Sequence, residues 1–236
     1  MRIIDFIKSK LIRKVAPSPA PIQPEPAKIA PETSEALSNA AAAVKEAEAA
    51  KAEAEAAVKA AEMAKLDEQI KLLKSKLPRR LDNSKDCIER YGGFKIIDGK
   101  AVWENEGKWC SSLIIPADIA EKWLNTATGK PTLKIYCNRD LQVPLMLALL
   151  LLKRKGLLSE LKTFDGCYMI RKQRGGDTIS FHSWAMAIDV NASENPLGAE
   201  SVLSPEFVQC WKEAGFIWGG DWKRKDGQHF QYITNG

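Results

Sequence analysis

Hydrophobic positions follow two different patterns on either side of Asp82. Residues 34–77 are rich in Ala, Glu and Lys and contain no Gly or Pro, and this composition predicts one long helix. From Asp82 onward, short apolar runs alternate with Gly, Pro and Asp-Gly turn signals, which are typical of small strands mixed with helices. The pattern therefore predicts an α+β domain over residues 82–236, preceded by a long N-terminal helix.

The predicted helix has a narrow apolar seam. Leu37, Val44 and Val58 recur at heptad spacing with alanines between them, and Lys51 interrupts the series. Three interpretations stay open: an oligomeric coiled coil, a solitary charged helix that acts as a rod, and an antiparallel partner for a helix of another protein. Each makes residues 34–77 a candidate for self-association or tethering.

The residues before this helix form two further segments. Residues 1–15 place isoleucines and leucines at helical spacing with Lys and Arg between them, which predicts a basic amphipathic helix that contacts a membrane surface or a partner, or packs on its own protein. Asp5 and Lys8 interrupt the apolar stretch, so we expect no secretory signal peptide. Closely spaced prolines in residues 16–33 predict an extended linker.

Composition sets bounds on the function. A chain of 236 residues that is 45% hydrophobic can bury a core, and its net charge of +5 is modest, so we expect no nucleic-acid partner. The five cysteines are widely spaced and never form a C-x-x-C pair. We expect them to be reduced and structural, rather than a disulfide framework or a second metal site.

The candidate chemistry lies in two segments that contain both histidines of the chain. His182, Asp189 and His229 offer two imidazoles and a carboxylate, which suit a tetrahedral Zn²⁺ with a fourth position for water. We expect His182 in a loop, Asp189 in the strand that follows, and His229 at the start of a neighbouring strand. Asp226 precedes His229 across an Asp-Gly turn and is the candidate general base for the water.

These segments carry a resemblance to a known family. The pattern Ser180-x-His182-x6-Asp189, followed by Asp226-x-x-His229-Phe, resembles the signature of zinc D-alanyl-D-alanine carboxypeptidases and L-alanyl-D-glutamate endopeptidases, which include many bacteriophage endolysins. The likeness to the phage-type branch extends over residues 113–236. The sequence departs from the family at Ala185, where glycine is usual, and at Asp226, where many relatives carry glutamate.

The resemblance implies a fold and roles for several side chains. It implies a small antiparallel sheet flanked by helices, with zinc as cofactor. Arg171 or Arg174 would stabilise the oxyanion, and the Ser180 hydroxyl would lie near the substrate. Asp221 is a candidate for a hydrogen bond to one of the ligand histidines.

The resemblance also implies a substrate, the peptidoglycan stem peptide, with the L-alanyl-D-glutamate bond as the favoured target. The alternatives are a D-alanyl-D-alanine carboxypeptidase and a structural protein of a virion or envelope, tethered by its helical arm, whose domain binds the wall with weak activity. Without an export signal, we expect a phage-derived protein that stays in the host cytoplasm until lysis or is part of a virion, and that acts on the bacterial cell wall.

Overall fold

The computed structural model describes residues 31–174 and 176–234. The predictions for the basic helix and for most of the proline-rich linker therefore lie outside the described residues. Within the described residues, the chain divides into two units, and the boundary lies between Glu55 and Ala56.

The first helix, α1, runs from Pro31 to Ser75. It begins earlier than the predicted start at residue 34, because proline is well suited to the first turn of a helix. In the part of α1 that belongs to the first unit, Leu37 is 66% exposed and Val44 is 58% exposed. Association through this seam stays a prediction.

The end of α1 belongs to the second unit. Leu66 and Ile70 are 5% and 7% exposed and are part of its hydrophobic core. Arg154 holds Asp67 through two hydrogen bonds of 2.6 and 3.2 Å. The predicted domain start at Asp82 therefore lies inside the unit, which begins at Ala56.

The second unit mixes short strands with helices. The helices that follow α1 are α2 (Ser84–Tyr91), α3 (Glu106–Trp109), α4 (Ala117–Ala120), α5 (Arg139–Arg154) and α6 (Pro205–Glu213). The strands are β1 (Lys95–Ile97), β2 (Lys100–Val102), β3 (Cys110–Ile114), β4 (Leu124–Asn125), β5 (Lys130–Pro131), β6 (Lys134–Asn138), β7 (Thr163–Gly166), β8 (Ala187–Val190), β9 (Ile217–Trp218) and β10 (His229–Gln231).

The largest sheet has the strand order β5-β4-β7-β8-β10-β9. Its pairs are antiparallel except β4 with β7, and β1-β2 and β3-β6 form two separate antiparallel pairs. The predicted α+β fold, with small sheets flanked by helices and a long N-terminal helix, is confirmed.

Helices α5 and α6 contact each other, and α6 also packs on the six-stranded sheet. Helix α5 is capped by Asn138, whose side chain accepts a hydrogen bond from the Asp140 amide. Helix α6 begins with Ser204 as N-cap and Pro205 in the first turn. Trp211 of α6 stacks on Phe230 of β10, with ring centroids 4.6 Å apart. This apolar contact packs one face of β10 against α6.

All five cysteines are buried free thiols, as expected. Burial raises the pKa of Cys87, Cys110 and Cys137 to about 12, so their thiolates are scarce at neutral pH.

Within the described ranges, none of the helices combines the length and apolar character that a membrane span requires.

Candidate metal centre

Two strands place a carboxylate and an imidazole side by side. Strands β8 and β10 pair so that His229 lies directly opposite Asp189. Side chains alternate along a strand, so Gln231 shares the face of His229, while Phe230 points to the opposite face. Ile188 and Phe230 are both fully buried. The strand pairing therefore presents Asp189 and His229 on one face and fills the core with the other.

His182 reaches the same place from a tight turn. It lies in the 3-10 turn Phe181–Trp184, which ends at Ala185 with φ 52 in the left-handed region. The Ala185 amide bonds back to the His182 carbonyl at 3.0 Å. This reversal lets the chain enter β8 just after the turn. A residue with a Cβ is strained there by about 1–2 kcal/mol, so Ala185 carries a conformational cost.

The three side chains converge on one point. The distances are 3.2 Å from His182 Nε2 to Asp189 Oδ1, 3.0 Å from His229 Nδ1 to Asp189 Oδ1, and 3.2 Å between the two nitrogens. Atoms placed about 2.0–2.1 Å from a tetrahedral zinc ion lie roughly 3.3 Å from one another. The observed spacing is close to this value, so the donor set has the size of a zinc site.

Hydrogen bonds on the outer side of each ring fix its tautomer. His182 Nδ1 lies 3.0 Å from the Cys167 carbonyl oxygen, which can only accept, so Nδ1 carries the hydrogen. Gln231 Nε2 donates to the Ile233 carbonyl at 3.0 Å, which turns its Oε1 toward His229 Nε2, 3.1 Å away. His229 Nε2 therefore donates to Gln231. In both neutral rings, the nitrogen that faces Asp189 presents a lone pair.

This arrangement favours a positive charge at its centre. Three electron-rich atoms lie within 4.8 Å of one another, and His182 and His229 are only 3% and 7% exposed. Burial opposes ionisation of Asp189, but His182 and His229 together hold the pKa of its carboxyl well below its usual range. Burial also opposes protonation of His229, yet Asp189 raises the pKa of this imidazole above its ordinary value. A metal ion fits the same position and would replace the proton that the site otherwise attracts.

Asp226 lies beside the three ligands. Its amide donates to the Gly219 carbonyl at 3.0 Å, and its carbonyl accepts from the His229 amide at 3.1 Å. Its side-chain Oδ1 is buried and has no hydrogen-bond partner in residues 31–174 and 176–234. Burial raises the pKa of Asp226, Asp189 adds to the rise, and His229 opposes it. A buried, unpaired carboxylate oxygen at this position is suited to accept a proton from a water molecule.

A cleft of about 340 Å³ contains most of the predicted residues. Arg171, Arg174 and Ser180 line it together with Asp189, Asp226 and His229. Ser180 is 4% exposed, and its hydroxyl does not cap the turn that follows. Both arginines reach the cleft, so the choice between them stays open. The roles assigned to all of these residues stay predictions.

The surroundings of the ligands differ from the sequence prediction in one respect. Asp221 forms an ion pair with Lys212 at 2.7 Å, and Gln231 and the Cys167 carbonyl hold the outer nitrogens of the ligand histidines. The prediction that Asp221 supports a ligand was wrong. The period of two along β10 places Gln231 beside His229 and could have identified it, whereas a backbone carbonyl leaves no signal in the sequence.

Comparison with known families agrees with the site. Residues 174–232 match the family model described as D-alanyl-D-alanine carboxypeptidase. The matched segment contains the ligand cluster, Asp226 and Arg174, but it begins after Arg171. No match was found among curated proteins or among solved structures. The family match and the cluster of His182, Asp189 and His229 together support a peptidase of this kind with a metal site.

Proposed function

We propose that this chain is a zinc-dependent peptidoglycan hydrolase that cleaves a stem-peptide bond, with the L-alanyl-D-glutamate bond as its main target. One observation carries the proposal: His182, Asp189 and His229 bring three possible ligand atoms together, and Asp189 and His229 line a cleft with Asp226, whose buried Oδ1 has no partner among the described residues. The match of residues 174–232 to a carboxypeptidase family model supports peptidoglycan as the substrate.

The proposed chemistry assigns a separate task to each side chain. His182, Asp189 and His229 would hold the zinc, which when bound lowers the pKa of a coordinated water to roughly 7 and polarises the scissile carbonyl. Asp226 takes a proton from the attacking water at Oδ1 and delivers it to the departing amine. Its raised pKa helps it to keep the proton between these steps. Arg171 or Arg174 donates hydrogen bonds to the oxyanion.

A D-alanyl-D-alanine carboxypeptidase is the second candidate, because that activity describes the matched family model. The likeness of residues 113–236 to the phage-type branch favours the endopeptidase. In the same proposal, residues 34–77 associate with copies of this chain or with a virion or envelope component, and residues 1–15 contact a membrane surface or a partner. The protein then acts on the wall after lysis or from a particle.

The test is digestion of purified sacculi with zinc-loaded protein, with and without a chelator, followed by mass analysis of the released peptides. We expect chelator-sensitive release that leaves a new free amine on D-glutamate. Loss of terminal D-alanine alone would assign the carboxypeptidase instead. His182→Ala provides the control without a complete ligand set. Zinc-loaded protein that releases nothing would refute the hydrolase and favour a wall-binding tether.

A further inference from the structure

One wall of the cleft carries three positive charges, and the proposed chemistry uses at most one of them, Arg174. Arg174, Lys223 and Arg224 all line the cleft and are all exposed. Neighbouring cations are paired: Lys172 with Asp177 at 2.9 Å and Lys212 with Asp221 at 2.7 Å. In the part of the chain that the structure describes, the three cleft cations make no salt bridge of this kind. Their charges are therefore available to a ligand.

The fold holds two of these cations together. Arg224 Nη1 donates to the Arg174 carbonyl oxygen at 3.0 Å, across 50 positions of sequence. The next residue, Lys225, turns the other way and donates from Nζ to the Gly220 carbonyl at 3.0 Å, which anchors the segment to the protein. Arg224 uses one of its five N–H groups for this bond, so most of its guanidinium remains free to donate elsewhere. The Arg224 guanidinium is therefore held at the Arg174 backbone, on the cleft wall that the side chains of Arg174 and Lys223 also line.

Such a cluster favours an anionic ligand. Bringing like charges together is unfavourable in the free protein, and an anion that reaches this wall gains charge-assisted hydrogen bonds, of which the planar guanidinium can offer two in parallel to a carboxylate. The carboxylates of the cleft itself, Asp189 and Asp226, belong to the metal site. The complementary anion must therefore come from the substrate.

We propose that Arg174, Lys223 and Arg224 form a carboxylate subsite that selects stem peptides with a free α-carboxyl group on the D-glutamyl residue over peptides in which that group is an amide. This inference rests on the proposed function. D-glutamate linked through its γ-carboxyl keeps its α-carboxyl beside the scissile amide nitrogen. Amidation removes the charge and leaves the shape nearly unchanged, so the two peptides differ at the group that the subsite would contact.

The test compares two synthetic peptides that contain the L-alanyl-γ-D-glutamyl unit and differ only in the α-carboxyl or α-carboxamide. We expect the full-length zinc-loaded protein to cleave the acid with kcat/KM about tenfold or more above that of the amide, since a hydrogen bond to a charged group contributes at least this factor. The ratio should fall toward one in Lys223→Gln and in Arg224→Gln, and added salt should lower it. Arg224→Lys should keep part of it.

Lys130→Gln is the matched control, because Lys130 is an exposed lysine of β5 and does not line the cleft. It should keep the wild-type ratio. The subsite is refuted if the wild-type ratio of kcat/KM for acid and amide is near one, or if both cleft variants keep the wild-type ratio. Hydrolysis of either peptide would still leave the proposed function intact. If neither peptide is cleaved, the proposed function fails. Binding of the same pair to zinc-loaded protein then decides the subsite, since equal affinity for acid and amide refutes it.

Discussion

Gln231→Leu tests whether the outer hydrogen bond of His229 prepares the metal site. Gln231 is 1% exposed, accepts from His229 Nε2 at 3.1 Å and donates to the Ile233 carbonyl at 3.0 Å. Leucine has a similar volume but can do neither. We expect zinc affinity to fall by about 10–100-fold, the usual effect of losing such a partner, which corresponds to roughly 1.4–2.7 kcal/mol.

The metal-free protein should also lose stability. The substitution leaves the His229 N–H and the Ile233 carbonyl without partners in a buried environment, and each unsatisfied group costs about 1–3 kcal/mol. Gln142→Leu is the matched control. Gln142 Nε2 donates to the Ser111 carbonyl at 3.2 Å and to its hydroxyl at 2.9 Å, but Gln142 does not contact the ligands. It should reduce stability and leave zinc affinity unchanged.

The assay is competition for zinc with a chromophoric chelator, combined with nitrogen NMR of the imidazoles to report the tautomer. Gln231→Glu keeps an acceptor beside His229 Nε2 and adds a negative charge, so it should preserve zinc affinity. Wild-type affinity in Gln231→Leu, with the same tautomer, would refute the reasoning. An equal loss of zinc affinity in Gln142→Leu would show that the effect is general destabilisation.

Four further outcomes follow from the site. Asp226→Asn should retain zinc and lose at least about 100-fold in kcat, measured by elemental analysis and peptide release; near-full activity would contradict its role as base. Gly219→Ala should lower kcat with zinc retained, because a Cβ there would lie 2.6 Å from the Asp226 carbonyl oxygen; unchanged kcat would show that the Asp226 turn adapts. In urea unfolding without metal, Ala185→Gly should lower the free energy of unfolding by less than Ala187→Gly does, and the difference should be at least about 1 kcal/mol. The reason is that Ala185 has φ 52, whereas Ala187 lies in a strand. Equal losses of unfolding free energy in the two variants would argue against strain at Ala185. Zinc affinity should fall from neutral to acidic pH, because the pKa of His229 is raised without metal and its proton competes with zinc. The same raised pKa stabilises the metal-free fold at acidic pH, and this contribution to stability is lost as the pH rises.

The sequence predicted the features that depend on local pattern. The long helix and the mixed fold follow from residue spacing and turn signals. The strand that carries Asp189 follows from the turn after His182, and the structure brings both residues to His229. These elements depend on residues within short stretches of sequence, so local sequence patterns predict them.

The features that were missed depend on contacts between distant segments. The bond from Arg224 to the Arg174 carbonyl joins two loops, and no local pattern indicates it. The Asp221 prediction failed because Lys212, on a helix earlier in the chain, is its partner. Leu66 and Ile70 of the long helix are part of the core of the second unit, and helical periodicity shows which residues share a face but not what covers that face. The domain start at Asp82 stays a prediction.

The position of Leu66 and Ile70 has a consequence for recombination between domains. The helix Pro31–Ser75 is continuous in secondary structure, but its last turns complete the core of the second unit. A recombination event that joined residues 82–236 to a new N-terminal segment would remove these two side chains and the Asp67 contact with Arg154, and would leave an apolar surface uncovered. Functional grafts must join upstream of these residues, so the transferable module carries a stub of helix with it.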